Sequence, residues 1–449
     1  FWATMAKRKQ KFSQEPFEVA ITDITHDGRG VAHVDGKVVF VHGALPDEVV
    51  MAQYVKSRKD YDEAKTVNVI KASEDRVEPI CESFGTCGGC SLQHLNPEKQ
   101  IYFKAKQLAS NLRKQAKLDF DVDAQIPALR SPSEHYRFKG RLGVKYVAKK
   151  EKVLVGFREK FAPFIVDMDR CPVLEARVGD LLPQLSELIG NLTLLDKIPQ
   201  IELAIGSDQV ALSFRVLEEP TEDDLAKLKA FGVEHNILIY LQPKNEASTY
   251  LLSEVEDTED LLNYRLMDRL TMAFKPYHFT QVNPVINEQM IAQALKLLNI
   301  QKDEKVLDLF CGLGNFTLPL ALEAGSVIGV EGDKSLTEWA AKNAARNGLN
   351  NVEFYCTDLT QNQDDADWMQ LKYDAILVDP PRSGALEMMA YLGKLAPKRI
   401  LYVSCHPATL ARDLAELVQY GYEVTDAGVM DMFPHTAHVE SMALLVKKD

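Results

Sequence analysis

No stretch of this sequence approaches the roughly 18 consecutive apolar residues that a membrane-spanning helix needs. No secretory leader is visible either, so the expectation is a cytoplasmic protein with no membrane partner. Positive charge is in deficit: 52 Lys and Arg stand against 65 Asp and Glu, a formal net charge of −13. That balance argues against a protein that coats nucleic acid indiscriminately. Cysteines number seven, an odd count that does not make a disulfide framework and leaves metal binding or catalysis as the expectation. Internal repeats and heptads are missing, so a monomer is expected. What is present is ordinary globular composition, 46% hydrophobic and 26% charged, over 449 residues, enough for two or three domains. Phe1-Trp2-Ala3-Thr4 ahead of Met5 reads as a cloning remnant.

Lys7, Arg8, Lys9 and Lys11 form a basic arm within residues 1–14 that is expected to be disordered. From about 15 to 72, Phe17, Val19 and Ile21 alternate with polar residues, and Asp27-Gly28 and Asp35-Gly36 mark hairpin turns. Several short strands in so few residues predict a small closed barrel of the OB type. An amphipathic helix is predicted from about Pro97 to Lys117. From about 133 to 270 strands such as Arg141 to Tyr146 and Val210 to Val216 mix with helices. The acidic runs Glu218 to Asp224 and Glu254 to Asp260 read as solvated loops. Between His135 and Lys160, nine Lys or Arg face only Glu151 and Glu159, which points to a polyanion-binding patch.

Beyond Thr271 strands and helices alternate, which predicts a doubly wound α/β domain with ligand groups at the carboxyl ends of its strands. The buried strand Val306 to Phe310 runs into the loop Cys311-Gly312-Leu313-Gly314-Asn315. Glu331 closes the next strand, placed to accept hydrogen bonds from ribose hydroxyls, and Asp358 lies past the third, where an adenine amino group can be met. The loop lacks the three-glycine dinucleotide spacing, which disfavours NAD, and a Walker lysine, which disfavours ATP. The remaining reading is S-adenosylmethionine.

Asp379-Pro380-Pro381 closes the fourth strand of that domain. An aromatic residue after such a motif would favour methylation of an exocyclic amine, but Arg382 follows. A cysteine appears one strand later, in Val403-Ser404-Cys405-His406-Pro407. Carbon 5 of a pyrimidine is a poor nucleophile until a thiolate adds to carbon 6, and a base must later remove the carbon-5 hydrogen. Cys405 is therefore the candidate nucleophile and Glu440 the candidate base, with His406, His435 and His438 as rivals. Cys311 and Cys356 read as structural.

Cys81, Cys87 and Cys90 are separated by five and two residues, with Gly85, Gly88 and Gly89 letting the loop wrap tightly, and Cys171 can supply a fourth thiolate. Four thiolates suit zinc or an iron–sulfur cluster, and three clustered plus one distant favours a [4Fe–4S] cluster.

The chain resembles the bacterial RNA uracil-5-methyltransferases, most closely the type acting on 23S ribosomal RNA with an iron–sulfur cluster. The resemblance rests on Cys81 to Cys90 with Cys171, Phe279 to Asn283, Asp308 to Phe316, Asp379 to Gly384, Ser404 to Asp413 and Phe433 to Ser441. It implies a Rossmann-like methyltransferase domain at 99–131 and 271–449, an α+β central iron–sulfur domain at 76–98 and 132–270, and an N-terminal OB-like TRAM barrel at 15–75. It implies Cys405 as nucleophile and Glu440 as base, with Gln281, Phe310, Asn315, Glu331, Asp358 and Asp379 around S-adenosylmethionine. It also implies that Cys81, Cys87, Cys90 and Cys171 hold the cluster, and that the target is a uridine of 23S ribosomal RNA, uracil 1939 foremost; the alternatives are the same chemistry on transfer RNA or another ribosomal uridine, or a non-catalytic iron–sulfur RNA-binding protein.

Overall fold

A computed structural model describes residues 13, 15–119 and 126–448. The basic arm Lys7 to Lys11 lies outside the described residues. The chain forms two compact units: one holds the described residues up to Gln100 with Arg158–Phe164 and His435–Ala437, the other holds the remainder.

In the first unit, alternation buries Val19, Val39, Val41, Val50, Ala52 and Ala64 on one face of a six-stranded sheet. Its order is Phe17–Ala20, Val49–Ser57, Tyr61–Lys71, Lys37–His42, Gly30–Val34 and Asp23–Ile24. The Ile21 N–H donates to Glu48 O at 2.9 Å, and the Thr22 N–H to Val31 O at 2.8 Å. One segment is thus bonded to both ends of the sheet and closes it, as the OB-type expectation requires. Asp35 and Gly36 both take positive φ, 49° and 79°, the geometry of a two-residue hairpin turn. The buried Glu48 carboxylate accepts from Leu45 N (2.8 Å) and Arg76 Nη2 (2.8 Å), tying the chain beyond the barrel to it. The loop of Cys81, Cys87 and Cys90 falls within this unit.

The second unit contains two large sheets. One runs Tyr250–Leu251, Ile237–Gln242, Val210–Arg215, Gln200–Ile205, Lys139–Val147 and Lys152–Gly156. The acidic run before it behaves differently from the solvated loop expected. Thr221 caps the helix Glu222–His235, and Asp224 is buried, accepting from Thr221 N at 3.0 Å and Thr193 N at 2.8 Å. A carboxylate that satisfies helix-end donors is stable inside a protein despite its charge. Part of the basic segment is also answered from within. Arg141 pairs with Glu202 at 2.5 Å, Lys150 and Lys152 with Asp167 at 2.9 and 2.7 Å, and Lys139 donates to Pro276 O.

The other sheet has seven strands in the order Val352–Cys356, Ser326–Glu331, Lys305–Leu309, Ala375–Val378, Arg399–Ser404, Glu440–Lys447 and Tyr422–Met430. The first five are parallel, and the last two run antiparallel to their neighbours. The parallel strands read as near-continuous apolar runs because helices cover both faces. Tyr422–Met430 was not expected as a strand: a bulge between Val424 and Asp426 breaks the alternation that would have shown it. The predicted helix is Pro97–Asn111, continued by a π-helical turn Leu112–Ala116, and its Ala105, Leu108 and Leu112 join the core of this sheet.

Asn343, fully buried on the helix Lys334–Arg346, ties three parts of this unit together. Its Oδ1 accepts from Ala273 N (2.9 Å), and its Nδ2 donates to Ala273 O (3.1 Å) and Leu313 O (3.3 Å). The hairpin Asn263–Leu266 and Leu270–Ala273 is thereby fixed to the glycine loop. Asn343→Ala is expected to cost about 2–3 kcal/mol, because buried backbone groups lose their partners. Urea unfolding should show a lower midpoint at an unchanged slope.

Candidate active site

The parallel strands end at one edge, where Phe310, Glu331, Asp358, Asp379 and Cys405 all lie just at or beyond a strand terminus. Phe310 turns the chain with φ 64°, a left-handed conformation unusual for a bulky residue and a place where strain is stored at functional sites. Gly312 follows at φ 54°, and a Cβ there would meet nothing within 4 Å, so the backbone faces open space on which a ligand can rest. Glu331 holds the loop: its Oε2 accepts from Gly312 N at 3.0 Å and its Oε1 from Asp333 N at 2.9 Å.

The other expected cofactor residues differ in setting. Asn315 exchanges hydrogen bonds with Asn287 (2.8 and 3.0 Å), and its Oδ1 also accepts from Tyr264 OH at 3.0 Å. Its side chain is therefore locked in orientation before any ligand arrives. Gln281 is half-buried in the loop preceding Asn283, which caps the helix Pro284–Leu298 through Ile286 N. Asp358 is exposed and accepts from Thr360 N and Oγ1 at 2.9 and 2.7 Å, which keeps its carboxyl below the usual range. Asp379 is pushed up to about 7 by burial.

One carboxylate was not singled out by the sequence reading. Asp308, buried within the strand Lys305–Leu309, accepts from Thr317 Oγ1 at 2.5 Å, while its Oδ1 has no hydrogen-bond partner among the described residues. Burial, opposed by the Thr317 bond and reinforced by the charges of Asp379 and Glu331, raises it to about 8. The signal available was an acid in the middle of an otherwise apolar run. Asp308, Glu331 and Asp379 together make an electron-rich cradle that suits a cationic ligand such as a sulfonium or an ammonium.

Cys405 and Glu440 meet through strand register. Ser404 pairs with Ser441 across antiparallel strands, so the next residue on one strand, Cys405, lies opposite the preceding residue on the other, Glu440. Adjacent strands are about 4.8 Å apart, within reach of one pyrimidine ring. Both groups are half-buried. The Cys405 thiol is pushed up to about 11 by burial, then by the charges of Glu440 and Asp379, with Arg382 opposing. Glu440 is pushed up to about 8 by burial and then Asp379, while Lys104 pulls it down.

Two of the three rival histidines are engaged elsewhere. His406 caps the helix Pro407–Gln419, accepting from Thr409 N at 3.4 Å, and His435 belongs to the first unit, 3.3 Å from Gln100 Nε2. His438 is held below the usual histidine range by burial and by the charges of Arg382, Lys104 and Arg137. The loop after Asp379 is anchored by buried Asp413, which accepts from Ala385 N (2.7 Å) and Tyr402 OH (2.6 Å). Cys311 is buried in the glycine loop, and Cys356 is exposed.

In the cysteine loop, Cys87 Sγ accepts from Gly89 N at 3.4 Å, and the Cys81 charge adds to burial in raising its thiol. Cys87 and Cys90 are buried, Cys81 is half-buried, and none of the three forms a disulfide. Cys171 is buried in the second unit. Among the described residues no three His, Cys, Asp or Glu side chains are gathered to hold a single metal ion.

Comparison with known proteins adds family evidence. The family described as tRNA (uracil-5-)-methyltransferase matches residues 98–448, and the TRAM domain matches residues 13–67. A 23S rRNA (uracil(1939)-C(5))-methyltransferase of Alkalilimnicola ehrlichii is 49% identical over 99% of both chains. Its counterpart in Hahella chejuensis is 47% identical over 99% of this chain and 100% of that one. Among solved structures, the Pyrococcus abyssi tRNA (uracil-54, C5)-methyltransferase in complex with S-adenosyl-L-homocysteine aligns with a TM-score of 0.73. Its identity is 25%, covering 96% of this chain and 99% of that one.

The raised carboxyl of Glu440 has a thermodynamic consequence. Its folded value of about 8 lies above the unfolded value of about 4.3. The folded protein therefore binds the proton more tightly, and this contribution to stability is lost as pH rises from about 4.3 through 8. Glu440→Gln cannot lose it. The melting temperature of that variant should exceed the parent's by a few degrees at pH 8.5, and the gap should close at pH 4.5.

Proposed function

Because the chain belongs to the tRNA (uracil-5-)-methyltransferase family, we propose that it methylates carbon 5 of uracil 1939 in 23S ribosomal RNA with Cys405 as nucleophile and Glu440 as base. The observation that carries the chemistry is the Ser404–Ser441 register, which sets a thiol opposite a carboxylate at the sheet edge where the glycine loop also begins. Ribosomal rather than transfer RNA is favoured because the full-length relatives at 47–49% identity bear the ribosomal name, against 25% for the transfer-RNA enzyme.

The residues fit S-adenosylmethionine. Gly312 leaves open space, Asp308 keeps an unpartnered carboxylate oxygen, and Glu331 and Asp379 add negative charge towards a cationic ligand. S-adenosylmethionine supplies an electrophilic methyl group on a sulfonium. Gln281, Phe310, Asn315, Glu331, Asp358 and Asp379 would hold it, Glu331 through the ribose and Asp358 through the adenine; their position at the strand ends supports this reading.

Cys405 Sγ gives up its proton to solvent and adds as a thiolate to carbon 6 of the uracil, and the electron pair of the 5,6 double bond moves to make carbon 5 nucleophilic. Once carbon 5 carries the methyl, Glu440 takes its remaining hydrogen as a proton. The electrons of that bond re-form the double bond and expel the thiolate. A carboxyl near 8 is matched to this task, since its basicity is high while a useful fraction stays ionised near neutrality.

We read the chain as a TRAM barrel at 15–75, a central domain at 76–98 and 132–270, and the methyltransferase domain at 99–131 and 271–449; the TRAM match at 13–67 supports the first of these. The protein acts as a cytoplasmic monomer on its RNA. Cys81, Cys87, Cys90 and Cys171 hold a [4Fe–4S] cluster. In support, none of the four is in a disulfide, three are buried, and Cys87 already receives a backbone N–H of the kind that ligating thiolates accept. A cluster spreads its thiolates over four irons, so it does not need the tight gathering that one ion demands.

With RNA containing 5-fluorouridine at the target, the parent protein should form an adduct stable to denaturing gels, because fluorine cannot leave as a proton. Cys405→Ala should form none and lose methylation by at least about 10⁴-fold. Glu440→Gln should accumulate adduct on ordinary uridine, and normal turnover there would return the base role to a histidine. Anaerobically purified protein should contain iron and acid-labile sulfide in equal amounts and absorb broadly in the visible, whereas stoichiometric zinc would overturn the cluster reading.

A further inference from the structure

Lys104 is the one lysine among the described residues whose side chain is wholly buried, and nothing in the chemistry above uses it. It lies on the helix Pro97–Asn111, more than 300 residues before the catalytic carboxylate in sequence. Its Nζ donates to Asp431 Oδ1 at 2.6 Å and to Phe433 O at 2.9 Å. Asp431 follows Met430, and Met430 is the strand partner of Glu440. The ammonium thus grips the chain where it leaves the strand Tyr422–Met430, the neighbour of the strand that opens with Glu440. Neighbouring contacts hold the same segment. Asp431 N donates to Leu129 O at 2.9 Å, and Tyr136 OH donates to Pro434 O at 3.0 Å.

Burying an ammonium is costly unless it is paired and hydrogen-bonded, so a fully buried lysine in a catalytic domain calls for a specific return. We propose that Lys104 is a positioning residue of the catalytic base: its ammonium fixes the segment leading to Glu440 and sets a positive charge beside that carboxylate. The inference rests on the reading of Glu440 as base.

The charged groups around Glu440 come from four directions. Asp379, past the strand Ala375–Val378, pushes its carboxyl towards the neutral form, and Lys104 opposes. Cys405 lies opposite it in register, and Asp431 lies between the ammonium and the strand end. Arg382 faces Cys405 and His438, and Arg137 faces His438. Lys104 is the cation that offsets Asp379 at Glu440 itself. Without it, burial and Asp379 act on Glu440 unopposed and the base is protonated over a wider pH range. Asp431 in turn keeps the buried lysine charged, since burial alone drives an ammonium towards neutrality.

The test compares the pH profile of single-turnover methylation and adduct release in the full-length protein and in Lys104→Met, Lys104→Gln and Lys104→Arg. Lys104→Met should move the rising limb of the release step up by about one pH unit, roughly tenfold slower release at pH 7 with recovery at pH 9. Lys104→Arg should restore the parent profile. Lys104→Gln, which keeps a hydrogen-bond donor but not the charge, should shift the limb in the same direction as Lys104→Met, and it serves as the deciding variant where Lys104→Met does not fold. Profiles unchanged from the parent in the folded variants, or a uniform loss at every pH, would overturn the role assigned to Lys104. Glu440→Gln separates the two ideas. Normal release in that variant removes the base reading, whereas trapped adduct in it together with an unshifted Lys104→Met profile removes only the present proposal.

Discussion

The pairing of Ser404 with Ser441 is the contact on which the catalytic arrangement depends. In a sheet a slip of one residue turns every side chain to the opposite face. Such a slip here would separate Cys405 from Glu440 and turn Ile400, Tyr402, Ala443 and Leu445 out of their shared core. The same apolar burial that stabilises the sheet therefore fixes the distance between nucleophile and base. The antiparallel return of the Glu440 strand beside the Arg399–Ser404 strand is what allows this. In a purely parallel sheet the carboxylate would sit at the start of its strand, at the far edge from the thiol.

Electrostatics gives the second theme. The free site gathers Asp308, Glu331, Asp379 and Glu440 at one edge, and three of them are raised well above ordinary carboxyl values by burial, with the Asp379 charge adding to it at Asp308 and Glu440. Such an arrangement opposes folding above about pH 5 and is retained where function needs it. A cationic ligand relieves the repulsion, so part of the destabilisation held in the free protein is returned as selectivity for a positively charged cofactor. The glycine loop, held by Glu331 to Gly312, is already shaped to receive it.

Much of this was legible in the sequence, and the parts that were not share a physical reason. Apolar runs ending in an acid, such as Ser326 to Glu331 and Ala375 to Asp379, announce parallel strands with functional termini, because a buried strand tolerates a charge only where it leaves the core. The hairpin pair Asp35-Gly36 announces its own turn. Lys104, Asn343 and the Asn315–Asn287–Tyr264 set were invisible, since each is defined by partners 28 to more than 300 residues away. Asp224 was misread as solvent-facing because its burial depends on Thr193, a residue outside the acidic run. The basic stretch after His135 looked free for the same reason: Glu202 and Asp167, which answer Arg141, Lys150 and Lys152, lie further along the chain.

The central claim is that one thiol, set by strand register, attacks the target ring. Mass spectrometry of tryptic peptides from the protein trapped on 5-fluorouridine RNA tests this most directly. The added nucleotide mass is predicted on the peptide Ile400 to Arg412, at Cys405. Nucleotide mass on the peptides carrying Cys311 or Cys356, or no cross-linked peptide from a methylation-competent preparation, would contradict the account.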